Sequence, residues 1–471
     1  MLTAAPNRTT APPALGRAAI VCAAVAIASL VLPATLAYDP WAWLVWGREV
    51  AHGALDTTGG PSWKPLPVAV TTLLAPLGPE LAPVAWTALA RFAGLLALVG
   101  AHRLARRLGA PAWVAAGAAA LVVLTPDGGP RFVRLLAEAH SEPATAAFAV
   151  LAAERAVAGR PAATFGLLAA VSLMRPEAWP FLLAAAAWVW VRDPDRRGLV
   201  VVGLAAIPVL WFGGDWWGSG SPLHGADAAQ VVADEPMADR LRLALERAWR
   251  SVTLPVWPAA GVALVVAARA RDRAVLAVGG LAFAWMAVVV GMAAVLGYAA
   301  LSRFYLPSAV LLCALAALAV VPAGRALGRL GSPAVRRAGV VALLVLCLPS
   351  LLARSTALPG LLAETGDRHR MAVALEEAIT MAGGAAYLRT CGPLALDPAG
   401  EAGPMRPALA WWADVPLHEV ARPRDPEVAT TVARAGWAVD RALGRTSAVL
   451  LARNEEWAIW SDVCTRPSIG R

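Results

Sequence analysis

Long apolar runs recur along this chain, split by short arginine clusters, and that alternation sets what it can fold into. A run of about 18 apolar residues is long enough for a helix to cross a bilayer. In hydrocarbon only a helix or a closed barrel satisfies its own backbone. The composition agrees: 59% of residues are hydrophobic, 15% are charged and the mean hydropathy is +0.60. A soluble domain carries about a quarter charged residues. Spans are read at 18–37, 82–101, 111–125, 142–158, 161–174, 177–191, 198–213, 254–268, 274–297, 304–321 and 338–353. The expected fold is an all-α polytopic membrane protein with about eleven transmembrane helices, followed by a small C-terminal extracytoplasmic α+β domain.

The arginines orient these spans. With the tail 1–17 in the cytoplasm, the inner loops carry Arg103, Arg106 and Arg107; Arg160; Arg192, Arg196 and Arg197; Arg269, Arg271 and Arg273; and Arg325, Arg329, Arg336 and Arg337. Each obeys the positive-inside rule. The net charge of +9 therefore answers to the inner membrane surface, and no nucleic-acid partner is expected. Arg240, Arg242, Arg247 and Arg250 run against the rule, in a long outer loop where it is weaker. The first run has no small-residue cleavage site after it and reads as a retained helix. Arginine-rich, nearly lysine-free usage suggests a high-GC bacterial genome, and hence a bacterial plasma membrane.

An odd number of crossings leaves the C-terminus outside. The plan is then a transmembrane unit, 18–353, with outer loops 38–81, 126–141 and 214–253, and an outer domain, 354–471. Residues 237–252 have the apolar spacing of a helix lying along the interface. In the outer domain 370–381 reads as helix, and 448–452 and 456–460 as strands. Cys22, Cys313 and Cys347 sit in apolar runs as packing residues. Cys391 and Cys464 lie in the outer domain and could pair in an oxidising compartment.

Chemistry gathers at the outer ends of the spans. The first outer loop opens Tyr38-Asp39-Pro40-Trp41-Ala42-Trp43-Leu44-Val45-Trp46 and continues through Trp63-Lys64-Pro65, where Lys64 is the only lysine in the chain. Lys64, Arg131, Arg134 and Arg303 all fall on the outer side, against the positive-inside trend. Four such cations in three separate loops suggest a shared anionic ligand. Further on stand Arg175-Pro176-Glu177, Gly218-Ser219-Gly220-Ser221-Pro222-Leu223 and Ser302-Arg303-Phe304-Tyr305-Leu306-Pro307.

An Asp just after the first span, a long first outer loop and these three fragments resemble the glycosyltransferase C superfamily, in an actinobacterial-type form. These membrane enzymes use polyprenyl-phosphate sugars. Asp39-Pro40-Trp41 stands where an Asp-x-Tyr-like context is usual. The resemblance implies an inverting glycosyltransferase of the cell envelope. Asp39 would be the general base, and Lys64, Arg131, Arg134, Arg175 and Arg303 would hold the donor phosphate. Glu142, Glu177, His224 and Tyr305 would support them. The partners implied are a polyprenyl-phosphate sugar donor, membrane lipid, and a glycan, lipid or protein acceptor. A divalent metal could assist, held by Glu142 or Asp127, although no metal-ligand spacing is present.

Plainer readings stand beside these. Asp39 could cap the helix that begins at Pro40, and Ser141 could cap one that begins near Pro143. Trp41, Trp43, Trp46 and Trp63 read as aromatic-belt anchors. Arg175 and Glu177 could be a structural ion pair, and Arg91 could snorkel from its span. A transporter or flippase is the first rival function, but the repeated halves and interrupted helices it would need are not seen. A non-catalytic scaffold is the second.

Overall fold

The structure, a computed structural model, describes residues 15–125, 131–320, 322, 333–397, 405–421, 428–435 and 448–465. Asp127, Arg325 and Arg329 lie outside the described residues, as do the side chains of Arg336, Arg337 and Cys347. The first half is built of α1 (Leu15–Ala28), α2 (Tyr38–Ala51), α3 (Pro65–Leu74), α4 (Gly78–Arg107), α5 (Ala112–Val123), α6 (Arg131–Ala137), α7 (Glu142–Val157), α8 (Pro161–Ser172) and α9 (Trp179–Arg192). There follow α10 (Arg197–Ser219), α11 (His224–Ala229), α12 (Met237–Trp249), α13 (Val256–Ala270), α14 (Arg273–Leu296), α15 (Leu306–Leu318), α16 (Pro333–Met381), α17 (Gly384–Thr390) and α18 (Arg406–Trp412).

A helix stands at each apolar run read from the sequence. Among the described residues three helical stretches are long and apolar enough to cross a membrane: Pro65–Arg107, Pro194–Ser219 and Arg273–Leu296. Shorter apolar helices stand at Leu15–Val31, Ala112–Val123, Pro161–Ser172, Val256–Ala270 and Ser302–Leu318. α15 is the axis of the bundle. It packs against α4, α5, α7, α13 and α14, and every residue from Leu306 to Ala317 is buried. The expected interfacial helix is α12. Its small Ala244 and Ala248 pack inward, while Leu241, Leu245 and Trp249 are exposed.

The first loop does not place its indoles in an aromatic belt. It folds into α2 and α3, and its indoles are core residues: Trp43 and Trp46 are 0% exposed, Trp41 3% and Trp63 6%. Trp43 meets Trp86 of α4 at 5.6 Å and Trp46 meets Trp63 at 6.0 Å, while the C-terminal domain covers Trp41. α18 packs on α2, Trp412 meets Trp41 edge-on at 6.1 Å, and Arg48 donates to the carbonyls of Trp411 and Val415, each at 3.0 Å. The indoles that do face outward are those of Trp113, Trp190, Trp216, Trp217 and Trp249.

The boundary expected at 353–354 falls inside α16, one helix that runs from bundle to outer domain. Its C-terminal half packs on a five-stranded sheet of β1 (Leu394–Leu396), β2 (Val420–Ala421), β3 (Thr430–Arg434), β4 (Val449–Arg453) and β5 (Trp457–Ser461). The order is β2-β1-β3-β5-β4, with β1 parallel to β2 and β3, and β5 antiparallel to β3 and β4. The β4–β5 hairpin sits where the two strands were read. Asn454 shapes its turn by accepting from the Glu456 and Trp457 amides. Trp457, fully buried, donates its indole N–H to the Met371 carbonyl of α16 at 2.8 Å. Cys391 and Cys464 are joined, with S–S 2.04 Å, which ties the end of α17 to the segment after β5.

Candidate active site

Proline shapes the backbone around the charged residues. Lys64 and Arg175 each precede a proline, and the ring of that proline disfavours helical backbone in the residue before it. Both are extended (φ −141°, ψ 107° and φ −146°, ψ 120°), and each stands directly before a helical turn. The bias is not absolute: Asp39-Pro40 and Glu142-Pro143 lie in the first turns of α2 and α7, where proline costs no hydrogen bond and a carboxylate faces the positive end of the helix. Neither Asp39 nor Ser141 caps its helix through its side chain.

Backbone bonds bring these turns together. The amides of Thr35 and Ala37 donate to the carbonyls of Ala137 and Glu138 at 3.1 and 3.0 Å, which sets Asp39 beside the 138–142 turn. Ala139, at the centre of that turn, takes the left-handed conformation (φ 52°), costly for a residue with a Cβ. Trp86 donates its indole N–H to the Ala139 carbonyl and holds it there. The Leu66 amide donates to the Leu173 carbonyl at 3.1 Å, so Lys64 arrives next to Arg175.

The result is a compact group of five charges. Asp39 Oδ2 lies 3.5 Å from Lys64 Nζ and accepts from Arg303 Nη2 at 3.2 Å. Arg303 Nε is 2.8 Å from Glu142 Oε1, and the same carboxylate pairs with Arg175. Arg175 also donates to the Tyr298 hydroxyl at 3.3 Å, and that hydroxyl donates to Glu177 Oε1 at 2.9 Å. Aromatic faces close the group from below. Lys64 stands 4.8 Å over the Trp43 ring, and the Phe304 ring lies 3.9 Å from Arg175 and 5.7 Å from Arg303. In direct contact there are three cations and two carboxylates.

Burial and charge oppose each other here. Burial alone would raise the Asp39 carboxyl, but Lys64 and Arg303 outweigh it and hold it below the usual carboxylate range. Burial, with Arg175 adding to it, pulls the Lys64 ammonium down to about 8 against the attraction of Asp39 and Glu142.

The other sequence-derived candidates lie outside this group. Arg131 donates to the Ser302 carbonyl at 2.7 Å and so steadies the turn that carries Arg303. Arg134 pairs with Glu138 at 3.3 Å and with Glu364 of α16 at 2.7 Å, as part of the join to the outer domain. Tyr305, fully buried, donates to the Ala244 carbonyl at 2.9 Å and fixes α12. His224 faces the Thr57 carbonyl at 3.1 Å. These four were grouped with the others by side of the membrane, or by neighbourhood in the chain, and neither reports distance in space. Arg91 bonds the carbonyls of Leu32 and Pro33 and the Ser29 hydroxyl. The group adds Glu138, Tyr298 and the Phe304 ring, which local motifs do not single out, and it takes Trp43 from the aromatic belt into the site. His140 stands beside it, with Nε2 3.1 Å from Glu138 and Nδ1 3.6 Å from Glu142. Glu142 is shared between two guanidinium groups, a poor place for a divalent metal. Among the described residues no three metal-ligating side chains gather.

No protein-family model matches the chain, and no curated protein sequence does. Its fold is similar to two crystal structures of ArnT from Cupriavidus metallidurans. With the apo state the TM-score is 0.51 at 17% identity, covering 95% of this chain and 98% of that one. With the state bound to undecaprenyl phosphate it is 0.54 at 17% identity, covering 96% and 99%. At this identity the likeness is one of fold, over nearly the whole length of both chains.

Proposed function

We propose that this chain is a membrane glycosyltransferase of the C superfamily, which moves a sugar from a polyprenyl-phosphate donor to an acceptor on the outer face of the plasma membrane. The observation that carries the reading is Asp39 bridging Lys64 and Arg303, three side chains from three distant segments. An ion cluster of this kind at the end of a helical bundle is costly unless it has work to do. The fold shared with ArnT, one of whose crystal structures holds undecaprenyl phosphate, supports the same donor class.

In this reading the donor phosphate settles against Lys64, Arg303 and Arg175. It takes over the cations that Asp39 holds while the site is empty of donor, and Asp39 regains its ordinary basicity. An acceptor hydroxyl then attacks the sugar C1 from the face opposite the phosphate, and Asp39 takes its proton. The C1–O bond to phosphate breaks, and the negative charge of the leaving polyprenyl phosphate is met by Lys64 and the two guanidinium groups. One displacement inverts C1. An apolar cavity of about 200 Å³, lined by Leu168, Phe181, Trp188, Leu281, Trp285 and Leu311, lies along the helices that follow Glu177 and Arg303 and suits a prenyl tail. Outer-face chemistry fits the arginine pattern of the inner loops and a disulfide-bonded outer domain. The actinobacterial-type assignment, about eleven crossings and an outer C-terminus belong to the same proposal.

Binding of undecaprenyl phosphate to the purified chain in detergent tests it. Wild type is expected to bind, and Lys64→Ala and Arg303→Ala to weaken binding by about tenfold or more each. Binding unchanged in both variants would remove the phosphate site from this group.

A further inference from the structure

Two cavities, of about 590 and 390 Å³, lie side by side at the seam between α4, α16 and the outer domain, and they share Glu80, Glu376 and Trp412. Together they form a cleft that runs from the extended segment 32–36 past Trp412 to Arg48 and Asp414. Among the described residues, no residue lining it pairs with Asp39, Lys64, Glu142, Arg175 or Arg303.

The lining has a definite chemistry. Glu80 opens α4 and Glu376 projects from α16. Among the described residues neither carboxylate has a hydrogen-bond or ion-pair partner. Burial, with Glu80 and Glu377 nearby, pushes the Glu376 carboxyl up, so the two carboxylates feel each other across the cleft. Arg48 offers no counter-charge. It is taken up by Asp414 at 2.9 Å and by backbone carbonyls. One indole forms the floor, that of Trp412, half-buried against Trp41. Trp411 beside it is 3% exposed, with its N–H on the Pro79 carbonyl at 3.1 Å and the Arg48 guanidinium over its ring at 5.2 Å.

An indole face accepts the C–H face of a sugar ring, and free carboxylates accept from its hydroxyls. The same carboxylates repel uronates, sulfates and phosphates. We infer that this seam is a binding cleft for an uncharged, hydroxyl-rich saccharide, separate from the Asp39 group and independent of its chemistry. The saccharide comes either free, as an oligosaccharide, or as the headgroup of a glycolipid.

The test uses the full chain in lipid nanodiscs, titrated with neutral gluco-, manno-, galacto- and arabino-oligosaccharides, and with the same sugars carried on a lipid in the disc. At least one neutral sugar is expected to bind, free or lipid-borne, and the arm that binds identifies the source. Trp412→Ala and the double variant Glu80→Gln/Glu376→Gln are expected to weaken it about tenfold. Ala385→Trp, which fills the cleft without removing a packing side chain, is expected to abolish it. Asp39→Asn is expected to leave it unchanged. Absence of binding in both arms, binding that survives every cleft variant, or loss with Asp39→Asn would overturn the inference. So would stronger binding of an oligogalacturonide or an oligolysine peptide at the cleft.

Discussion

Lys64 is the residue whose state is most open to experiment. Buried beside Arg175, its ammonium is pulled down to about 8, so the donor-free protein carries that charge below pH 8 and loses it above. The donor-free state governs kcat/KM. We therefore expect kcat/KM for the lipid donor to fall as pH rises through 8, with KM rising and kcat changing less. Lys64→Arg keeps its charge across this range. That variant should lose the alkaline limb even if its absolute rate is lower. A profile that stays flat from pH 7 to 9.5 in the wild type would mean Lys64 does not meet the donor. Asp39 carries the complementary constraint, since two cations offset the burial that would raise its carboxyl.

At the scale of elements, α2 carries both the site and the join. Gly47 lets it lie against α3, since a Cβ there would come within 2.6 Å of the Thr71 backbone. On its outer turn Glu49 is 6% exposed, and burial pushes its carboxyl up to about 7 in spite of the Asp56 amide that donates to it at 3.0 Å. A raised acid favours the fold while both states hold the proton. Its contribution is kept below about pH 4.5 and lost as pH rises to about 7. The loss is at most about 3 kcal/mol, from the shift alone. Glu49→Gln should therefore raise the thermal unfolding midpoint in detergent at pH 8 and leave it nearly unchanged at pH 4.5. Equal midpoints at both pH values would contradict the burial.

The apolar runs disclosed the helices because composition alone distinguishes them, and the two strands of the β4–β5 hairpin were legible as short strand-like runs. The burial of Trp41, Trp43 and Trp46 was not legible. An indole in a helix at the membrane surface looks the same whether lipid or protein covers it, and only tertiary partners such as Trp412, Trp86 and Trp63 decide that. In the site, Asp39, Lys64, Arg175, Arg303 and Glu142 could be named one by one from local motifs. Their meeting depends on backbone bonds such as Leu66 to Leu173, which link distant segments and leave no trace in sequence. Arg134 and Tyr305 were chosen by the same local logic, and tertiary partners claimed them instead.

At the scale of the molecule, α16 links bundle and outer domain as one rod. The ties between Arg368 and Glu138 at 2.9 Å and between Arg134 and Glu364 at 2.7 Å fasten that rod beside the charged group. If this domain lies outside the membrane, as proposed, the charged group lies at that same face. A phosphatase fused after the outer domain should be active in intact bacterial cells, and a fluorescent protein fused there dark; the reverse pattern would invert the topology.

The measurement that bears most directly on the whole account is sugar transfer by Asp39→Asn, assayed with a polyprenyl-phosphate sugar that the wild type uses. Asparagine keeps the shape and removes the base. We expect undecaprenyl-phosphate binding to persist while transfer falls by about 10²–10⁴-fold. Transfer at near wild-type rate would mean the proton goes elsewhere, and the mechanism built on Asp39 would fall with it.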